Sequence, residues 1–220
     1  MKESLEFLKR QGWLPTSIID IGAYVGDWTR MCRTVFPDAE VLMVEAQQNK
    51  IGNLKRACVE LGAGVSYELA LLGPQTGTNV RFVEMETGSS VFEELSPYKR
   101  NYVEKNQVTL DSLIASRGWP NPNFLKLDVQ GYELEVLKGG SKAVQHAEVI
   151  LLESSLLSIN KDCPLVFDVL HFMAQSGFRL LDICSLIRRR DGALWQTDLL
   201  FLRCDSQLLP SNSLDTSTWW

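Results

Sequence analysis

The chain has 220 residues, 45% of them hydrophobic and 22% charged, with a formal net charge of −5. That length and balance suit one globular domain with a full hydrophobic core. The acidic charge argues against sequence-independent nucleic-acid binding, and five scattered cysteines without a CxxC pair argue against a zinc site or a disulfide framework.

Residues 3–11 read as a short helix with Leu5, Leu8 and Leu14 inward. Ser17 to Ile21 is the first strand. Asp27 to Phe36 is a helix, because Trp28, Met31, Cys32, Val35 and Phe36 recur at helical spacing and Pro37 ends the run. "EVLMVE" is the second strand and Asn49 to Leu61 the second long helix, with Gly62 as its stop. "GVSYELALLG" is a third strand. Strands alternating with helices through short connections predict a parallel sheet covered on both faces.

Residues 74–106 break that rhythm. "NVRFVEM" predicts a strand, and the polar, turn-rich remainder reads as an insertion beside the substrate. "VTLDSLIAS" then gives a strand end and a helix capped by Asp111. "NFLKLDV", "YELEVLKGG" and "AEVILLES" are strand, helix and strand, and Pro164 opens a helix to about Gln175. "FRLLDICSLIRR" and "ALWQTDLLFLR" are two antiparallel strands around the Asp191–Gly192 turn. The expected organisation is a single domain over residues 1–206 and a C-terminal tail over 207–220, whose Trp219 and Trp220 are candidates to pack on a neighbouring molecule. No apolar run approaches the roughly 20 residues that span a bilayer, and the N-terminus is too charged for a signal peptide. The expectation is a cytoplasmic protein without a membrane span.

Two stretches carry chemistry. In "DIGAYVGDW" an acid and two glycines follow the first strand, at the sheet edge where open parallel sheets bind ligands. Gly22 permits a sharp turn and Gly26 a close backbone approach at a helix start. The spacing is D-x-G-x-x-x-G, not the G-x-G-x-x-G of dinucleotide sites. An acid inside the loop repels a pyrophosphate and attracts a sulfonium or an amino group, which favours S-adenosylmethionine. Glu45, 25 positions after Asp20, ends the adjacent strand, where a carboxylate offers two oxygens to a pair of ribose hydroxyls.

The second stretch is "FLKLDVQGYELEVLKGG". Lys126 and Asp128 share a strand face among apolar neighbours, where charge is costly unless paired. Asp128, Glu133 and Glu153 are expected to converge at one sheet edge. Gln196 and Asp198 are weaker pocket candidates, and Ser89 and Ser90 are candidates to close over the cofactor. Neither His146 nor His171 is placed for catalysis.

Together "IIDIGAYVGDWT", "VLMVEA", "TLDSL", "FLKLDVQGYELEVLKGG", "VILLES" and "LWQTDLLFLR" resemble the FkbM family of S-adenosylmethionine-dependent methyltransferases, over residues 17–203. The resemblance implies a class I methyltransferase fold, an α/β Rossmann-like domain whose seven-stranded, mostly parallel sheet has its last strand antiparallel and helices on both faces. It also implies O-methylation, often of a sugar hydroxyl on a glycan or natural product. The sequence departs from the family where Ala46 replaces a frequent Pro and Gln130 a frequent Glu. The expected cofactor contacts are Asp20, Gly22, Ala23, Gly26, Glu45, Ala46 and Asp128. The expected catalytic residues are Asp128, Glu133 and Lys126, with Glu153 behind them. No metal ligand is assigned, although such carboxylates suit a divalent ion. A non-catalytic adaptor that kept the fold and a nicotinamide-dependent oxidoreductase are the competing readings. The expected partner is a small-molecule or glycan hydroxyl acceptor.

Overall fold

A computed structural model describes residues 1–85, 88–93, 95 and 101–210. In chain order the elements are α1 (Lys2–Arg10), β1 (Ser17–Ile21), α2 (Asp27–Val35), β2 (Glu40–Glu45), α3 (Ile51–Leu61), β3 (Val65–Leu69), β4 (Leu71–Leu72), β5 (Asn79–Glu84) and β6 (Asn101–Val108). They continue as α4 (Leu110–Arg117), β7 (Phe124–Leu127), α5 (Glu133–Lys138), α6 (Ser141–His146), β8 (Val149–Ser155), α7 (Val166–Gln175), β9 (Phe178–Ile183), β10 (Ile187–Arg188) and β11 (Leu194–Arg203).

The main sheet runs β11-β8-β7-β1-β2-β3, with β9 and the two-residue β10 both on the outer edge of β11. The five strands from β8 to β3 are parallel and β11 is antiparallel to β8. This is the α/β class expected, with seven strands and the short β10 added. Alternation along each strand divides the core in two. Ile19, Ile21, Leu125, Leu127, Ile150 and Leu152 face the layer holding α4 to α7, whereas Ile18, Val41, Phe124, Val149 and Leu151 face α1 and α2. All five residues of β1 are buried because it sits mid-sheet.

Strand order runs outward from β1 to β2 and β3 on one side, and from β1 to β7 and β8 on the other. The reversal therefore lies between β1 and β7, and a crevice opens above their carboxyl ends. A second, three-stranded sheet of β4, β6 and β5 is built on the segment after β3.

Several local expectations are corrected. Trp13 is buried, but Leu14 is 67% exposed. "GVSYELALLG" is two strands. Ala70 N–H donates to the Glu45 carbonyl, closing the β2–β3 ladder, and Leu71–Leu72 then leaves to pair with β6. Thr109, not Asp111, caps α4. The Asp111 carboxylate instead accepts the amides of Lys142 and Ala143 at the start of α6, at 3.0 and 3.1 Å. Gly139 and Gly140 separate α5 from α6, and a Cβ on Gly139 would lie 2.1 Å from the Gly73 carbonyl oxygen. The helix after Pro164 begins at Val166, with Leu165 as its cap residue. "FRLLDICSLIRR" is interrupted at residues 184–186 and forms both β9 and β10. Residues 211–220, including Trp219 and Trp220, lie outside the described residues, as do 86–87, 94 and 96–100 of the 74–106 segment.

Candidate active site

The turn after β1 is tied directly to β2. Gly22 and Ala23 N–H both donate to the Val44 carbonyl, at 2.9 and 3.1 Å. Gly22 has φ +76°, and a Cβ there would stand 1.9 Å from the Asp128 carbonyl oxygen. Only glycine lets the two strand ends approach so closely. Gly26, at φ +85°, caps α2. Ala23 is buried and packs with Met43, Leu54 and Ala57 rather than opening to solvent.

Glu45 ends β2 and is held by local backbone. Its Oε2 accepts from Tyr24 N–H at 2.7 Å and its Oε1 from Gln47 N–H at 2.8 Å. Burial pushes its carboxyl above the ordinary value, while the Gln47 and Tyr24 amides pull the other way. Each oxygen keeps a further acceptor site, since a carboxylate has about four.

Asp20 is placed differently from the expectation. It is 0% exposed and lies beneath the cleft, not in its lining. Its Oδ1 is 3.0 Å from Lys126 Nζ, and its Oδ2 accepts from Thr29 Oγ1 at 2.6 Å. Parallel pairing puts Asp20 beside Lys126 in register, so the ion pair follows from the sheet. Lys126 also donates to the Gly22 carbonyl at 3.2 Å and sits 3.8 Å from Asp128. Burial alone would lower its pKa, but Asp20 and Asp128 drive it above the ordinary value. Lys126 and Asp20 thus form a buried brace that fixes the turn from below. Thr29 was not singled out from the sequence. Its signal is its place on the first turn of α2, nine residues after Asp20.

Above the brace lies a cleft with a volume of about 140 Å³ that widens into an open mouth. Val44, Leu71, Leu72 and Phe82 give it an apolar wall. Gly22, Glu45, Ala46, Ser89, Asp128 and Gln130 add backbone and polar groups. Such a lining suits a flat apolar ring joined to a diol. Phe82, Ser89 and Val91 come from the 74–106 segment, which therefore walls the cleft. Lys105 of β6 ties this segment to β2 by donating to the Ala46 carbonyl at 2.7 Å.

The far wall carries Asp128, with further acids behind it. Asp128 follows β7 and its side chain is 38% exposed. Glu133 is buried, and its Oε1 accepts from Val129 and Gly131 N–H at 2.8 and 3.2 Å, so it closes the loop instead of facing the cleft. Burial raises its pKa to about 7, against the pull of the Val129 amide. Glu153 of β8 is raised to about 9 by burial and by Asp128, Glu133 and Asp198. Its Oε2 accepts from Gln130 Nε2 at 2.7 Å and from Gln196 Nε2 at 2.9 Å. Asp198 is engaged by the Ser185 hydroxyl. Ser90 is buried and donates to the Gln130 carbonyl at 2.9 Å. Among the described residues, no three His, Cys, Asp or Glu side chains are grouped to hold a metal ion, and no helix is long and apolar enough to cross a membrane.

The Methyltransferase FkbM domain family matches residues 20–180, well over half the chain. The chain belongs to this family. A curated relative, the hexuronic acid methyltransferase AglP of Haloferax volcanii, is 27% identical over 143 residues, 61% of this chain and 54% of the relative. The chain thus spans about half the length of that protein. Among solved structures, magnesium protoporphyrin IX methyltransferase from Synechocystis PCC 6803 with bound SAM matches at TM-score 0.53. It is 13% identical, covering 91% of this chain and 76% of that one. The 1,6-didemethyltoxoflavin-N1-methyltransferase of Burkholderia thailandensis with bound S-adenosylhomocysteine matches at TM-score 0.51. It is 9% identical, covering 93% and 78%. These likenesses establish the fold: that of class I S-adenosylmethionine-dependent methyltransferases.

Proposed function

We propose that the chain is an S-adenosylmethionine-dependent O-methyltransferase acting on a hydroxyl of a sugar, glycan or related natural product. The observation that carries this reading is the cleft at the β1/β7 reversal, with the Glu45 carboxylate at one end and the half-exposed Asp128 at the other. The family and the hexuronic acid methyltransferase relative support it.

In this reading Glu45 takes the two ribose hydroxyls on its remaining acceptor sites. Leu71, Leu72 and Phe82 would hold the purine, and Gly22, Ala46 and Asp128 would border the remainder. Asp20, with Gly26 and Ala23, shapes the loop without touching the ligand. When bound, S-adenosylmethionine supplies an electrophilic methyl group for in-line displacement by the acceptor oxygen.

The protein's contribution is alignment and removal of the hydroxyl proton. Asp128 receives that proton at Oδ2, which lies 3.8 Å from Lys126 Nζ, beyond hydrogen-bond reach, whereas Oδ1 already accepts from Gln130 Nε2 at 2.9 Å. General-base assistance of this kind is worth about 10²–10⁴-fold. Lys126 and Glu133 are too deeply buried to touch the acceptor, so they act on Asp128 and its loop. Ser89 and Val91, from the described part of the 74–106 segment, border the acceptor's side of the cleft in this reading.

The test is methyl transfer from labelled S-adenosylmethionine to methyl glycosides of glucuronic acid, glucose and galactose, with the product bond identified by mass spectrometry and NMR. Methyl on a hydroxyl oxygen supports the reading. Methyl on a carboxylate, on nitrogen or on carbon overturns it.

A further inference from the structure

Gln130 joins four separate parts of the far wall. Its φ is +55°, a left-handed conformation that an L side chain holds only when its surroundings fix it, and glycine stands at the next position. The side-chain Nε2 donates to Asp128 Oδ1 at 2.9 Å and to Glu153 Oε2 at 2.7 Å. The carbonyl accepts from Ser90 Oγ at 2.9 Å and Asn160 Nδ2 at 3.2 Å. Both side-chain partners are carboxyl oxygens, and Glu153 Oε2 already accepts from Gln196. The amide nitrogen must therefore face them. A glycine would relieve the backbone but lose both donors. A glutamate, frequent at this position in the family, would keep the shape but could donate to only one of the two carboxyls, and only when protonated.

We propose that Gln130 is the positioning residue of the transfer reaction: its amide fixes the Asp128 carboxylate through Oδ1 to Glu153, and through Glu153 to Gln196 on β11, so that Oδ2, 3.8 Å from Lys126 Nζ, is the oxygen left to take the acceptor's proton. This rests on reading Asp128 as the base. Burial and the surrounding acids keep Glu153 protonated near neutral pH, so the anchor adds no second negative charge beside Asp128.

Gln130→Asn tests the assignment. Asparagine tolerates the left-handed backbone well, so the fold persists, but its side chain is one methylene too short for both carboxyls. Two measurements on the full chain separate the possibilities. Crystal structures of wild type and Gln130→Asn require no acceptor. The expected result is an Asp128 carboxylate in one orientation in wild type and displaced or split in the variant. An unchanged carboxylate in Gln130→Asn overturns the proposal.

Kinetics with the best glycoside of the panel give the second readout. For Gln130→Asn, the expected result is a fall in kcat of tenfold or more, with KM for S-adenosylmethionine within threefold of wild type. Full kcat in Gln130→Asn, in a protein that Asp128→Asn inactivates, also overturns it. Should Asp128→Asn retain full activity, the base reading fails, and the crystal structures still decide whether Gln130 orients Asp128.

Discussion

The two ends of the cleft are built in opposite ways. At the β1–β2 end a single carboxylate, Glu45, is held by backbone amides from residues close in sequence, Tyr24 and Gln47, beside an apolar wall. At the β7–β8–β11 end, Asp128, Glu153 and Asp198 surround one buried cation, Lys126, whose nearest partner is Asp20, 106 positions away, and Glu133 lies behind Asp128. The first end is held chiefly by local backbone amides and the second by long-range side-chain contacts, with Lys126 acting on both. One suits a constant ligand. The other stores electrostatic cost where the proposed proton transfer takes place.

Removing the cation is the strongest way to break that contrast. Lys126→Met leaves Asp20 buried without its counter-charge, and a broken buried pair costs about 3–5 kcal/mol. Urea denaturation should show that loss, and a loss below 1 kcal/mol would mean that the brace is dispensable. Next in size is Gly22→Ala, whose methyl collides with the Asp128 carbonyl at a φ of +76°. Such overpacking costs about 1–3 kcal/mol, and because it pushes the two ends of the cleft apart, affinity for S-adenosylmethionine should fall with it. Unchanged affinity would separate the turn from ligand binding.

A third test is pH dependence. Glu133 and Glu153 bind protons more tightly in the folded chain, at about 7 and about 9 against an ordinary 4.5. Their stabilising protonation is fully present below pH 4.5 and is lost as pH rises toward those values. Stability should therefore decline between pH 5 and 9, by at most about 1.4 kcal/mol per pH unit for each group. Glu153→Gln should flatten the decline above pH 7, where Glu133 has already lost its proton, and an equally steep decline in that variant would relocate the titration.

The same contrast explains what was legible in the sequence. The strand–helix rhythm, the glycine turn and Glu45 at the end of β2 are local patterns, set by apolar periodicity and short spacings. The pairing of Lys126 with Asp20 rather than chiefly with Asp128 depends on sheet register, which neither local stretch encodes. Asp111 looks like a cap of its own helix and caps α6 instead, because tertiary packing brings α6 against it. The split of "GVSYELALLG" depends on β6, more than 30 residues later. Gln130 reads in the sequence as a missing acid, and its role appears only when Glu153 and Asp128 are brought to its two sides.

The most direct test of the central claim is calorimetric titration of wild type and Glu45→Ala with S-adenosylmethionine. The account predicts saturable one-to-one binding to wild type and at least a tenfold loss in Glu45→Ala, because charge-assisted hydrogen bonds contribute about 1.5–3 kcal/mol. No binding to wild type, or equal affinity in the two proteins, would contradict it.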